Sequence, residues 1–156
     1  MVDVRRVAIA PDLNLEHIVE MQAGFVCRQG HPLTQHAGPM SFESLLAYPM
    51  ASIPLSQEVA RILVDHYGPR ANPPQMTTLQ CEDIASLLDV VRHTDAIYLG
   101  IVGAARQGLA DGTLVELALD PPFRAGARLA LITLAGRTEL PVMAVFRAFV
   151  LKQLAD

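Results

Sequence analysis

At 156 residues, with 51% hydrophobic and 18% charged residues, the chain has the length of one ordinary domain, or of two small lobes on one core, and is too apolar to be disordered. A fold of this size removes about 68–70% of its unfolded surface from water, so neither disulfides nor metals are needed to hold it together. Twelve basic residues against sixteen acidic ones give a net charge of −4, and with the basic residues scattered singly apart from Arg5-Arg6 no phosphate-tracking stripe exists; this chain alone is not expected to bind nucleic acid.

The longest nearly unbroken apolar stretch, Ala96 to Ala105, is about half of what a bilayer span requires, and no secretory apolar region can be drawn before Pro11 and Asp12. The sequence therefore reads as cytoplasmic and free of the membrane. Eleven Arg and the single Lys152 fit a GC-rich bacterial coding sequence. Cys27 and Cys81 form no C-x-x-C pair and read as buried free thiols, with no redox chemistry and no cofactor indicated.

In chain order, Arg6 to Ala10 is a short β run stopped by Pro11, and His17 to Met21 and Gly24 to Arg28 read as two further extended pieces. Gln29-Gly30-His31-Pro32 breaks the pattern. Ser41 can cap a short helix, Phe42 to Leu46, ended by Tyr48-Pro49, and a strand follows from Met50 to Ile53. Val59, Ile62, Leu63, His66 and Tyr67 recur at helical spacing between a Ser56 N-cap and a Gly68-Pro69 stop, which predicts an amphipathic helix over 57–67.

The loop Arg70 to Pro74 leads into an extended Gln75 to Gln80, and Ile84, Leu87, Leu88 and Val91 predict a helix from Glu82 to Arg92. Asp95 to Leu99 is a strand, Val102 to Leu109 a short helix or irregular turn, and Thr113 to Leu117 a strand after the Asp111-Gly112 turn. Arg128 to Leu134, almost without polar interruption, suits a strand buried on both faces. Pro141 opens a last helix whose stripe Val142, Val145, Phe146, Phe149 and Val150 predicts docking of that helix on the core. Alternating β and α elements imply a parallel or mixed sheet covered by helices.

Several segments, taken in order, resemble the effector-binding region of LysR-type transcriptional regulators. Gln22 to Leu33 is similar to that family's hydrophobic strand running into a Gly-His-Pro-Leu crossover, and Ser41 to Ile53 to its short helix, Leu-x-x-Tyr-Pro turn and strand. Arg6 to Pro11 resembles a strand of the family's first lobe, Gly112-Thr113-Leu114-Val115 its Gly-x-Leu-Val strand start, and Gly136 to Pro141 with Phe146-x-x-Phe its return strand and closing helix. Arg92 to Asp95 departs from the family's Gly-x-Gly turn, which argues against a glycine-built anion cradle here.

The resemblance implies an α/β fold of the type II periplasmic-binding kind: two Rossmann-like lobes, the first incomplete, around a small-molecule cleft. Residues 1–28 and 128–156 would form the partial first lobe and 29–127 the second, with crossovers near 28–31 and 124–128. The family's winged helix-turn-helix, its linker helix and the opening βα units of the first lobe have no counterpart in these residues, so the resemblance implies a piece of a longer protein. Part of the apolar content would then be surface that the remaining segment or a second copy covers.

In open α/β sheets ligands sit beyond the carboxyl ends of the strands. Three turns qualify. Pro54 and Ser56 lie in the first, where the Ser56 hydroxyl and following N–H groups either hold a ligand oxygen or cap only their own helix. Gln80 and Cys81 lie in the second, a region that in the resembled family contributes polar contacts to the effector. Glu82 and Asp83 beside them favour the helix dipole and would repel a carboxylate ligand unless both point to solvent. The third turn follows Tyr98, whose ring either lines the cleft wall or packs in the core.

Two enzyme-like sets carry less. Cys27, His31 and His36, with His17 upstream, sketch a zinc site at a spacing that matches no familiar pattern. Cys81 or Cys27 as nucleophile lacks any supporting motif, and His66 and His93 read as helix-end residues. The expectation is therefore no catalytic residue, no metal and no cofactor: an effector-sensing and oligomerisation domain, a homodimer or higher homo-oligomer that binds a small metabolite and reaches DNA only through another domain. The rivals are a stand-alone solute-binding protein, for which a secretory signal would be needed, and a small cytoplasmic enzyme.

Overall fold

The computed structural model describes residues 2–3, 11–35, 38–136 and 140–154. The strand expected at Arg6 to Ala10 lies outside the described residues. In chain order the first elements are β1 (Val2–Asp3), β2 (Leu13–Arg28), α1 (Phe42–Leu45), β3 (Met50–Ser52), α2 (Gln57–Tyr67), α3 (Pro73–Met76) and β4 (Thr77–Gln80). They are followed by α4 (Ile84–His93), β5 (Ile97–Ile101), α5 (Arg106–Ala110), β6 (Leu114–Glu116), β7 (Ala125–Leu134) and α6 (Pro141–Leu154). The chain divides into two compact units, residues 1–21 with 126–156 and residues 22–125.

The larger unit is built on a mixed sheet of order β6-β2-β5-β3-β4. β3 pairs in parallel with both β4 and β5, while β2 runs antiparallel to β5 and to β6. Alternation along each strand sorts the side chains to two faces. Phe25, Cys27, Met50, Ile97 and Leu99 pack with Phe42, Leu45 and Leu63 from α1 and α2. Val26, Ala51 and Tyr98 pack with Leu87, Leu88 and Val91 of α4 and with Ala105 and Leu114. Each large apolar side chain so buried stabilises the fold by about 1.5–3 kcal/mol.

The helical periodicity in 57–67 and 84–91 is thus the imprint of two cores on opposite faces of one sheet. α2 keeps the expected bounds, and Ser56 Oγ accepts from Val59 N–H at 3.3 Å as its N-cap. Ser41 stands at the N-cap position of α1 but its hydroxyl meets the Ser44 hydroxyl at 3.1 Å in place of a backbone N–H. α4 starts two residues later than expected because Asp83 takes the cap.

Other expectations need correction. The two extended pieces at 17–21 and 24–28 are one strand, since Gly24 does not stop β2 but lets it pack closely: a Cβ there would lie 2.7 Å from Val102 Cγ2. The strand placed at Gln75 begins only at Thr77, because Pro73 and Pro74 open a helical turn whose first positions need no N–H. The strand placed at 95–99 runs from Ile97 to Ile101, after Thr94 has tied its hydroxyl to Val90 O and Ala96 N.

In the smaller unit the strand order is β1-β7-β2, with Val2 opposite Ala130 and Asp3 opposite Leu129. β7, expected to be buried on both faces, is so at the adjacent Ala130 and Leu131, which point to opposite sides; Ala125 is also buried, while Arg128 and Leu134 are exposed, Leu134 at 47%. α6 likewise forms where expected without burying its stripe: Val145 is 70% and Phe149 60% exposed. One tie of α6 to its unit is an ion pair, Arg147 Nε lying 2.7 Å from Glu16 Oε2 of β2. Arg128 of β7 pairs with Glu20 of β2 at 2.6 Å.

Gly24 and Gly100 face each other across the β2–β5 ladder, and the Tyr98 ring folds over Gly100, where an added Cβ would lie 2.2 Å from the Tyr98 hydroxyl oxygen. Gly100→Ala is therefore expected to destabilise the protein by about 1–3 kcal/mol through overpacking. Urea unfolding checks this, and an unchanged midpoint would show that the ring has room to move.

Candidate functional site

Because β3, β4 and β5 are parallel, their carboxyl ends open at one edge of the sheet, with Ser52 level with Gln80 on one side and Leu99 on the other. β6 is antiparallel to β2, which is antiparallel to β5, so β6 ends at that edge too, where Glu116 comes last. β2 crosses the same edge at Ala23, opposite Ile101. Four strand ends and one strand entry thus share the edge where open α/β sheets hold ligands.

Pro54 is exposed in the turn after β3. Ser56 closes that turn with its oxygen committed to Val59 N–H, which leaves its own proton to donate. Gln80 ends β4 exposed, and its amide has no hydrogen-bond partner among the described residues. Cys81 is half-buried: its N–H donates to Ser52 O at 3.3 Å and its Sγ accepts from Asp83 N–H at 3.4 Å. Since β3 and β4 are neighbours, the structure brings the turns carrying these four residues side by side. The reading of Tyr98 as a wall of the crevice does not hold, because the ring is 0% exposed in the core under α4, held down by the helix packed on that face.

The charges on this edge are acidic. Asp83 is spent as a cap: its carboxylate accepts from Ala85 N–H at 3.1 Å and from the Ser86 hydroxyl at 2.6 Å. Those two bonds, the Ser86 hydroxyl first, hold its pKa below the ordinary 3.8. Glu82 faces solvent. Glu116 is exposed and unpaired among the described residues, with its carboxylate leaning over Gly24, where a Cβ would meet Oε1 at 3.0 Å. A pocket of about 160 Å³ opens here, bordered by Ala23, Gly24, Phe25, Glu116, Leu119 and Phe123. A larger groove of about 520 Å³ follows the outer side of β4 toward α2, bordered by Leu55, Gln57, Asn72, Thr77, Thr78 and Gln80.

Sequence reasoning missed Gly24 and Glu116. A glycine inside an otherwise apolar strand signals a close approach, and that signal was there to be read. It also missed the opposite edge, where Arg28 donates from Nε and Nη2 to Asp95 Oδ1 at 3.0 and 2.7 Å. No local pattern could show that pair, 67 residues apart. Beside it the fully buried His31 accepts from Leu33 N–H on Nδ1 at 3.1 Å, which puts its proton on Nε2 for Asp95 O at 3.2 Å.

The zinc sketch does not survive this geometry. Both His31 nitrogens are engaged, and burial pushes the Cys27 thiol up to about 11, away from the thiolate a nucleophile needs. His36 and the His17 side chain lie outside the described residues, among which no group of three or more metal-binding side chains gathers. His66 and His93 are helix-end residues as read, bonded to Pro122 O at 3.0 Å and Asp89 O at 2.8 Å. Among the described residues no helix is long and apolar enough to cross a membrane.

Two outcomes are expected. His31→Leu leaves Leu33 N–H and Asp95 C=O buried without partners and lowers stability by about 1–3 kcal/mol in urea unfolding; an unchanged protein would mean water replaces the ring. Because the folded-state pKa of Asp83 is depressed, its stabilising contribution is present above the unfolded value and lost as pH falls below 3.8. Asp83→Asn should flatten that acid loss in a pH series of melting temperatures, and parallel curves for the two proteins would refute the assignment.

Compared with known proteins, residues 4–155 match the model of the LysR substrate binding domain. The chain is 26% identical over 153 residues to the SDS degradation transcriptional activation protein of Pseudomonas sp. (strain ATCC 19151), covering 97% of itself and 49% of that protein. It thus spans about half the length of that curated relative. Among solved structures it resembles the regulatory domain of CrgA, a LysR-type transcriptional regulator from Neisseria meningitidis, at a TM-score of 0.68 and 15% identity over 92% of this chain and 70% of that one. It also resembles the effector domain of the transcriptional regulator AmpR of Pseudomonas aeruginosa, at a TM-score of 0.64 and 17% identity over 94% and 68%. At these identities the structural likeness establishes a shared fold.

Proposed function

The chain belongs to the LysR substrate-binding domain family, and from that premise we propose that it is the effector-sensing and oligomerisation part of a transcriptional regulator. Its fold is the α/β, periplasmic-binding-protein-like fold of that family. The proposed effector is a small metabolite held at the carboxyl edge of the sheet of residues 22–125, with Pro54, Ser56, Gln80 and Cys81 as the first contacts. Tyr98 drops out as a contact and supports the edge from below.

The observation that carries this reading is the convergence of four strand ends on one edge, where the Gln80 amide and the Ser56 hydroxyl proton are left without partners among the described residues. The mechanism is linkage. A ligand with unequal affinity for two arrangements of the domain shifts their populations, and a DNA-binding domain joined to it in an oligomer senses the shift. No covalent chemistry is asked of the protein, and the domain acts in the cytoplasm as a homodimer or larger assembly, reaching DNA through a separate domain. The acidic edge argues against a plain dianion as effector.

A thermal-shift screen of sugars, sugar acids and aromatic acids tests sensing directly. A true effector at 100 times its Kd adds about 2.7 kcal/mol. Gln80→Ala should then weaken binding about three- to tenfold, the worth of one hydrogen bond. Silence across the whole panel, or a ligand indifferent to both Gln80→Ala and Cys81→Ser, would refute the site.

A further inference from the structure

We propose that the groove beside β4 takes a neutral sugar, held through the carboxamides of Gln57, Asn72 and Gln80. This inference rests on the reading of the carboxyl edge as a ligand site and names the class of its ligand. Leu55 and Gln57 flank Ser56, and Gln80 belongs to both places, so the groove continues that edge. It holds about 520 Å³, within the range of small-molecule pockets, and lies wholly within residues 22–125.

The register of the sheet decides which side chains reach it. Met50 packs in the core under α1 and α2, so Ser52, two residues on, shares that face, while Ala51 faces α4. Parallel partners share a face as well: Thr77 lies beside Met50 and Gln80 beside Ser52, and the Ser52 and Thr77 hydroxyls meet at 3.5 Å. Leu79, paired with Ala51, turns to the other face and is absent from the lining. Thr77 and Gln80 therefore stand on the α2 side of β4, the strand that ends the sheet order. Gln57 and Ala60, one turn apart on α2, line the groove from the helix, and Asn72, Pro73 and Pro74 line it from the turn that leads into β4. The prolines hold Asn72 extended, at φ −72° and ψ 115°, which fixes the backbone under its side chain before any ligand arrives and lowers the ordering cost of binding.

The chemistry of the lining then selects the occupant. Among the described residues no charged side chain lines the groove. The Gln57, Asn72 and Gln80 carboxamides have no hydrogen-bond partner among the described residues, and Asn72 stands at the N-cap of α3 without capping it. Thr78 Oγ1 accepts from Met50 N–H at 3.4 Å and keeps its own proton to donate. Each carboxamide offers donors and an acceptor, and a ligand hydroxyl, itself both, meets it in either sense. A charged group entering here would shed water with no counter-charge to replace it, whereas a hydroxyl exchanges one neutral hydrogen bond for another. Leu55, Ala60 and Pro74 add apolar surface for the C–H side of a sugar ring.

The test is chemical-shift titration of the ¹⁵N-labelled chain with glucose, galactose and mannose, and with the uronic acid of each, the same ring carrying a carboxylate. Saturable shifts at the Gln57, Asn72 and Thr77 to Gln80 amides, and at the side-chain NH₂ signals of the three carboxamides, are expected with at least one sugar, its uronic acid binding at least tenfold more weakly. Asn72→Ala and Gln57→Ala should each weaken binding about three- to tenfold, the worth of one hydrogen bond, and leave the rest of the spectrum in place because neither side chain bonds the fold. No saturable shift with any of the three sugars, equal binding of the acid, or indifference to both substitutions overturns the proposal. Shifts at the same amides that follow protein concentration without sugar would assign the groove to a second copy and overturn it too. A ligand that moves the Ser56 and Cys81 amides but not those of Asn72 and Thr77 would leave the functional reading intact and sink this one alone.

Discussion

The antiparallel pairing of β2 with β5 is the constraint on which the larger unit depends. β5 lies between β2 and β3, so the register Phe25–Leu99 and Val26–Tyr98 decides which side chains meet α1 and α2 and which meet α4. A slip of one residue would exchange the two cores. The strands lie more than 70 residues apart in sequence, so the ladder carries a large loop-closure cost that only burial on both faces repays. It is closed at one end by Arg28 on Asp95 and at the other by the facing Gly24 and Gly100. The ion pair is partly exposed, at 31% and 45%, and so is worth at most about 1 kcal/mol. Its use is to pin the register, since the guanidinium fork reaches that carboxylate in one alignment.

The glycine end does the opposite work. With no side chains on the facing pair, the Tyr98 ring folds over one glycine, and Val102 and Glu116 come down on the other. Burial raises the pKa of the Tyr98 hydroxyl, and although the Ile101 N–H opposes that shift, no hydrogen bond of normal geometry forms. A buried hydroxyl held this loosely costs about 1–3 kcal/mol, set against the burial of the ring itself. The effect of Tyr98 is shape: it fills the layer beneath the edge and leaves the edge itself to backbone turns and short polar side chains.

Much of this unit was legible in the sequence. The periodicity of Val59, Ile62, Leu63 and Tyr67 and of Ile84, Leu87, Leu88 and Val91 is set by contact with a sheet face, and a face writes itself into local spacing. Ser56 as cap and the turns at 53–56 and 80–83 follow from rules that span a few residues. The pocket did not, because Gly24, Glu116 and Phe123 meet only through the ladder. Element ends were misjudged where a polar side chain competed for the backbone, as Thr94 does before β5 and Asp83 before α4. The stripe on α6 was read correctly as apolar and wrongly as covered: periodicity reports that a face is fit for burial, and it is silent about what buries it.

The distribution of charge gives the edge a selectivity that its shape alone would lack. Asp83 carries a full negative charge at neutral pH while its lone pairs serve α4, and Glu82 and Glu116 add theirs on either side of the strand ends. All three are exposed, so their repulsion of an incoming anion is of short range and is screened by salt beyond about 8 Å. Helix N-termini at α2 and α4 offset part of this, each by about 0.3–1 kcal/mol, and the one at α4 is already committed to Asp83. Among the bases nearest in sequence, Arg106 is already engaged and Arg124 stands outside the pocket. An anionic ligand would therefore have to bring its counter-charge from beyond this edge, whereas a cationic or neutral one meets the edge as it is built.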